Sequence, residues 1–229
     1  MQARFLFPTI LLLLFLKPAQ AQELSQVTFS SGANLVYFSI KTEQGILLRI
    51  TAEGNLIEWG TEVKALRGDY YAPQLQPFTG RIDYYGVEGD SISKGRIKMI
   101  GTCAISYYNA FSDETHVGKV RSVGRIFLDY YNPYDNKAVR GKLKMIGNLR
   151  LEYYNEFENE AYRGKLRSIG GTQLTYYSAF DDRNNSGKVK SIGGVKYAWY
   201  SSFDRRDMGG ALKTGYYRQA VNGITYILW

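Results

Sequence analysis

Five segments, GRIKMIG, GKVRSVG, GKLKMIG, GKLRSIG and GKVKSIG, start at Gly95, Gly118, Gly141, Gly164 and Gly187, each 23 residues after the last. A period held through five units without an insertion means one supersecondary element stacked on copies of itself. GALKTG at Gly210 keeps the spacing and loses the motif. Upstream, RIDYYG (81–86) is a half unit in register, since Ile82, Tyr84 and Tyr85 stand 23 residues before Ile105, Tyr107 and Tyr108.

Each unit holds one short basic-apolar segment and one longer one, such as CAISYYNAF, IFLDYYNPY, LRLEYYNEF, TQLTYYSAF or VKYAWYSSF. Gly-x pairs join them at Gly101-Thr102, Gly124-Arg125, Gly147-Asn148, Gly170-Gly171 and Gly193-Gly194. Glycine in first place is what a two-residue type II′ turn requires, so the unit is a β-hairpin. Links such as ENEAYRG and DDRNNSG have the acidic, asparagine-rich composition of exposed turns.

Alternation along the longer strand sorts its side chains by face. Leu149, Leu151, Tyr153, Asn155 and Phe157 share the parity of a covered face, and Arg150, Glu152, Tyr154 and Glu156 that of a wet one. The covered ring in the other units is Tyr107, Tyr130, Tyr176 or Trp199, and the wet ring is Tyr108, Tyr131, Tyr177 or Tyr200. Phe180 shares the covered parity with Leu174 and Tyr176. The short strand resists this scheme, because Leu166 and Ile169 stand three apart. Either a bulge re-aims one of them or both faces are partly apolar, and the many tyrosines favour the second.

The pattern predicts an all-β chain of tandem β-hairpin repeats forming an elongated, twisted antiparallel meander sheet, with a β-propeller-like arrangement or a β-solenoid as alternatives. Residues 80–209 form the array, 22–79 an N-terminal β region read as a degenerate cap, and 210–229 a capping hairpin turning at Asn222-Gly223. GILLRITAEGNLIEWG, within the N-terminal region, resembles a degenerate hairpin of the same kind.

Residues 1–21 read as a cleaved signal peptide: Arg4, an apolar run from Phe5 to Leu16, and Ala19-Gln20-Ala21 before Gln22. The run is about half the ~20 residues a spanning helix needs, so no transmembrane helix is expected in the mature chain. Export to the periplasm, cell surface or medium follows. Loss of Arg4 and Lys17 leaves 27 basic and 21 acidic residues, a net charge of +6 that suits anionic partners. Cys103 is the only cysteine, so no intrachain disulfide can form, and its parity with Ile105 predicts a buried thiol.

A 23-residue, glycine-punctuated, tyrosine-rich hairpin repeat resembles MORN repeats and, in its GKLKSIG-like strand, bacterial repeats of the YwqK type. The resemblance covers about residues 81–209 and lacks the MORN spacing of Tyr, Gly and Trp. It implies an elongated sheet used for protein or lipid contacts.

Catalytic signals are sparse. His116 is the single histidine, in a turn beside Asp113 and Glu114, and is expected to be solvated. The non-repeated acids Glu53, Glu58, Glu62, Asp69, Glu88 and Asp90 show no acid-base spacing, and no metal, cofactor or nucleic-acid role is expected. The expectation is a non-catalytic exported scaffold that binds a polysaccharide or envelope protein. Its alternatives are an extracellular glycan hydrolase with an N-terminal site and an outer-membrane β-barrel. The candidate binding residues are the column Tyr85, Tyr108, Tyr131, Tyr154, Tyr177 and Tyr200, with basic rows led by Lys119, Lys142, Lys165 and Lys188. Cross-strand pairing explains the same column without a ligand, and is the favoured account of it.

Overall fold

The computed structural model describes residues 23–63, 74–87, 89–204 and 206–229. The proposed signal peptide and two of the non-repeated acids, Asp69 and Glu88, lie outside the described residues. Among the described residues no helix is long and apolar enough to cross a membrane.

The first five strands, β1 (Glu23–Ser30), β2 (Asn34–Lys41), β3 (Leu47–Ile50), β4 (Leu56–Glu62) and β5 (Leu75–Pro77), pair antiparallel in sequence order. The chain then enters the array through β6 (Ile82–Tyr84), β7 (Ile97–Ile100) and β8 (Cys103–Tyr107). It continues through β9 (Val120–Val123), β10 (Ile126–Tyr130), β11 (Leu143–Ile146), β12 (Leu149–Tyr153) and β13 (Leu166–Ile169). The array closes with β14 (Thr172–Tyr176), β15 (Val189–Ile192) and β16 (Val195–Lys196). These eleven strands form one antiparallel meander with β6 and β16 at its edges. A small pair, β17 (Ala198–Trp199) and β18 (Leu212–Thr214), completes the last unit.

The expected all-β hairpin meander is therefore present. The type II′ turns are too: Gly101, Gly124, Gly147, Gly170 and Gly193 have φ between 52° and 59°, as the first turn position demands.

The flanking segments, expected as separate caps, meet instead in one sheet. The C-terminal hairpin of β19 (Arg218–Val221) and β20 (Ile224–Leu228) turns at Asn222-Gly223 with positive φ at both residues. β20 then lies parallel to β1, which gives a seven-stranded sheet of order β19-β20-β1-β2-β3-β4-β5. One apolar cluster joins the two sheets: Val27, Phe29, Phe38, Ile40, Leu48, Ile50 and Tyr226 from the cover, with Ile100, Ile105, Leu128, Leu151 and Leu174 from the array. Burying one face of a thin sheet requires a second layer, and the flanks supply it. Cys103 is buried in the same core, which raises its thiol pKa to about 11.

The short strand is resolved by a bulge, against the preference for two partly apolar faces. Glu152 pairs with Ser168 and Tyr153 with Leu166, so Arg167 is skipped. The extra residue restores parity, and Leu166 and Ile169 both point into the core. Five further joints skip the equivalent residue, at Lys98, Arg121, Lys144, Lys190 and Lys213. A bulge leaves a backbone group unpaired, and turns of the cover sheet reach in to three of them: the N–H groups of Val120, Leu143 and Val189 donate to the carbonyls of Gly54, Ala52 and Gly32.

Candidate functional site

The meander has two rims. One carries the tight Gly-x turns, and the other carries the longer links between units. The tyrosine column sits where each long strand runs into its link, and it is tucked in rather than displayed. All six rings are half-buried. The Tyr85, Tyr108, Tyr131, Tyr154 and Tyr177 hydroxyls donate to the carbonyls of Ile105, Leu128, Leu151, Leu174 and Tyr197 in the next unit, at 2.9–3.0 Å. Each ring from Tyr85 to Tyr154 also meets the covered tyrosine of the next unit edge-on, at 5.9–6.2 Å between centroids. Burial raises the pKa values of Tyr85, Tyr108, Tyr131, Tyr154 and Tyr177, that of Tyr108 to about 12 with the charges of Asp129 and Asp113 adding to the effect of burial.

The bulge residue explains the other side of the ring. Lys98, Arg121, Lys144, Arg167, Lys190 and Lys213 each lie over the column tyrosine of their own joint, 5.3–5.8 Å from the centroid.

The second basic row is also internal. Lys119, Lys142, Lys165 and Lys188 donate to the carbonyls of Gly141, Gly164, Gly187 and Gly210 in the next unit, and Arg96 does the same to Gly118. Their cationic heads lie 4.5–5.5 Å from the covered rings Tyr107, Tyr130, Tyr153, Tyr176 and Trp199. Burial lowers the pKa of all four lysines, that of Lys165 to about 8. Column and rows thus serve as joints between units.

A different aromatic set faces solvent. Phe111, Tyr134, Phe157, Phe180 and Phe203 recur at one phase of the 23-residue period and are 97, 97, 86, 94 and 94% exposed. Parity placed Phe157 and Phe180 on the covered face, but the strand ends at Tyr153 or Tyr176 and the count does not carry into the turn beyond. Each ring instead stands at the tip of a built turn. The backbone N–H of Phe111, Tyr134 and Phe157 donates to the side-chain oxygen of Asn109, Asn132 and Asn155, at 3.1, 2.8 and 2.9 Å. Phe180 and Phe203 use Ser178 and Ser201 in the same way, at 3.3 Å. Such side-chain-to-backbone bonds fix the local chain direction without tertiary contacts.

The acids of the links are also engaged in these turns. Asp135, Asp181 and Asp204 accept from the N–H of Asn132, Ser178 and Ser201, and a further bond from Lys213 helps hold Asp204 at a pKa of about 2. Asn136, Asn159 and Asp182 accept from the N–H of Glu156, Ala179 and Ser202 in the following unit. The corresponding residue for Asp113 is Pro133, which has no N–H to give.

That joint is built from His116 instead. The expected solvated histidine is buried, with Nδ1 2.8 Å from Asp113 and Nε2 3.2 Å from Asp129 of the next unit, and its ring edge-on to Tyr108 and Tyr130. Burial of Asp113 works against its ionisation, but bonds from Thr115 and His116 hold it below the usual carboxylate range.

Three of the non-repeated acids have structural partners. Glu58 pairs with the buried Arg49 at 2.6 Å, Glu62 with Arg218 at 2.6 Å, and Asp90 accepts from Ser93. Among the described residues no three His, Cys, Asp or Glu side chains group as a metal site. Comparison with protein families, curated proteins and solved structures finds no match for the chain.

Proposed function

We propose that the chain is a non-catalytic exported binding module that lies along an extended partner, a polymer or a protein of the cell envelope or its surroundings. One observation carries this reading: five aromatic rings, repeated at a single phase, stand almost fully in water on hydrogen-bonded turns. A large apolar side chain stabilises a fold by about 1.5–3 kcal/mol when buried, and these rings forgo that gain in every unit. Single exposed apolar residues are ordinary, but a periodic row is not.

The row replaces the tyrosine column as the contact surface, because the column is occupied by joints between units. Successive rings lie two strands apart, about 9.5 Å from the ~4.8 Å strand spacing, so the row spans roughly 40 Å. That length suits a partner with its own repeat. Capture of envelope material by the mature chain, compared with a variant carrying serine at Phe111, Tyr134, Phe157, Phe180 and Phe203, tests the reading. Capture that depends on the rings supports it, and equal capture by the two folded proteins refutes it.

A further inference from the structure

We infer that the partner of the aromatic row is a neutral, β-linked polysaccharide, gripped one ring per unit at intervals of about two sugars. The inference rests on the proposed binding role and adds the chemistry of the ligand.

Three observations select it. First, the rings are separate. Each is followed by a polar residue and preceded two positions earlier by Asn or Ser, as in Asn109-Ala110-Phe111-Ser112-Asp113 and Asn155-Glu156-Phe157-Glu158-Asn159, so the rim offers isolated flat platforms and not a continuous apolar surface. A protein partner with a dry core, or a bilayer, needs contiguous apolar area. A pyranose ring presents a compact apolar face of C–H groups that matches one aromatic ring, with hydroxyls around its edge that need polar neighbours.

Second, the charge of this rim opposes that of the whole. The five links (109–117, 132–140, 155–163, 178–186 and 201–209) carry ten carboxylates and six basic residues, although basic residues predominate in the full chain. The excess of carboxylates beside the rings disfavours anionic polymers and anionic lipid there, whereas a neutral chain meets no such opposition. The row from Lys119 to Lys188 keeps its charge, but its ammonium groups are partly buried and bonded to carbonyls of neighbouring units, whereas the carboxylates of the links flank the exposed rings.

Third, the step fits. Rings about 9.5 Å apart are separated by close to the length of a disaccharide in an extended β-linked chain, and the strand twist of about 20–25° per strand turns each platform steadily relative to the last. With two strands per unit this comes to about 40–50° per ring, so the bound glycan must screw by about that much per disaccharide to follow the path. The turns fix the rings before binding, so little ordering is lost on contact.

The test uses the mature chain and its five-serine variant against soluble β-1,4-linked glucose and N-acetylglucosamine oligomers, with a polygalacturonate and heparin as anionic controls, at low and high salt. The expected result is binding of a neutral oligomer that salt does not weaken, that tightens with each added disaccharide up to the length of the row, and that falls roughly three- to tenfold for each ring replaced. Ring-dependent binding of the polygalacturonate or heparin, with every neutral oligomer ignored, overturns the inference and leaves the binding role standing. Binding of any partner that is unchanged in the five-serine variant, with folding verified by circular dichroism, overturns both.

Discussion

Two aromatic rows lie three residues apart in the same repeat and have opposite fates. In the third link Tyr154 is half-buried, donates its hydroxyl to Leu174 and lies under Arg167, while Phe157 stands 86% exposed. The polar aromatic is the internal one, and the apolar aromatic is the one in water. The reason is that the joint between units needs a hydrogen-bond donor long enough to cross to the neighbouring backbone, which tyrosine has and phenylalanine lacks. The difference separates residues that hold the array together from residues available to a partner, and experiments can widen or collapse it.

The largest effect is expected in alkali. Tyr130, Tyr153 and Tyr176 are raised well above their usual pKa by burial, and Tyr107, Tyr108, Tyr197 and Tyr226 to about 12. A raised folded pKa gives stability that is complete below about pH 10 and is lost as pH climbs towards 12. For Tyr226 alone, fully buried, two pKa units correspond to about 3 kcal/mol. Urea midpoints at pH 8, 10 and 11.5 should drop steeply over the last interval, with tyrosinate absorbance rising in the same step. Lys165 acts in the opposite sense: its lowered folded pKa makes stability rise between about pH 8 and 10, so a shallow maximum should precede the fall.

Next come the glycines of the cover sheet. Gly54 has φ 84° and a Cβ there would fall on the Tyr130 ring, as one at Gly32 (φ 62°) would on the Trp199 indole. Gly54→Val or Gly32→Val should cost about 3–5 kcal/mol, strain and overpacking together, in chemical denaturation. His116→Ala should follow at about 2 kcal/mol, since it leaves Asp113 and Asp129 without the ring that joins them. Tyr131→Phe, which deletes one hydroxyl and leaves the Leu151 carbonyl without its donor, should cost about 1 kcal/mol and spare binding. Phe157→Ser should shift stability by no more than about 0.5 kcal/mol while weakening capture. Equal stability losses for Tyr131→Phe and Phe157→Ser would erase the distinction between the rows.

The period, the hairpins and the Gly-x turns were legible because they depend on neighbours in sequence. The bulge was not, since the residues three apart in the short strand fit either a bulge or two apolar faces until the partner strand shows that Arg167 is skipped. Phe157 and Phe180 were assigned to the wrong side because alternation was carried past the ends of β12 and β14. A signal did exist: each follows an Asn or Ser two residues earlier, the mark of a side-chain-capped turn. The pairing of β1 with β20 joins residues about two hundred positions apart, and no local pattern announces it. His116 became legible only through Pro133, whose missing N–H matters once the neighbouring joints are seen to use one.

The β1–β20 pair also bears on how such a chain can be inherited. Tandem repeats readily gain and lose copies when the encoding DNA slips, and an open array tolerates the change because each unit meets only its neighbours. Here the last unit is followed by two strands that must return to β1, the first strand among the described residues. One extra unit would push that return about 9.5 Å along the array and pull β20 away from β1. The copy number is therefore a fitted quantity, and variation should enter as substitution within a unit, above all at the ring that each unit holds out to solvent.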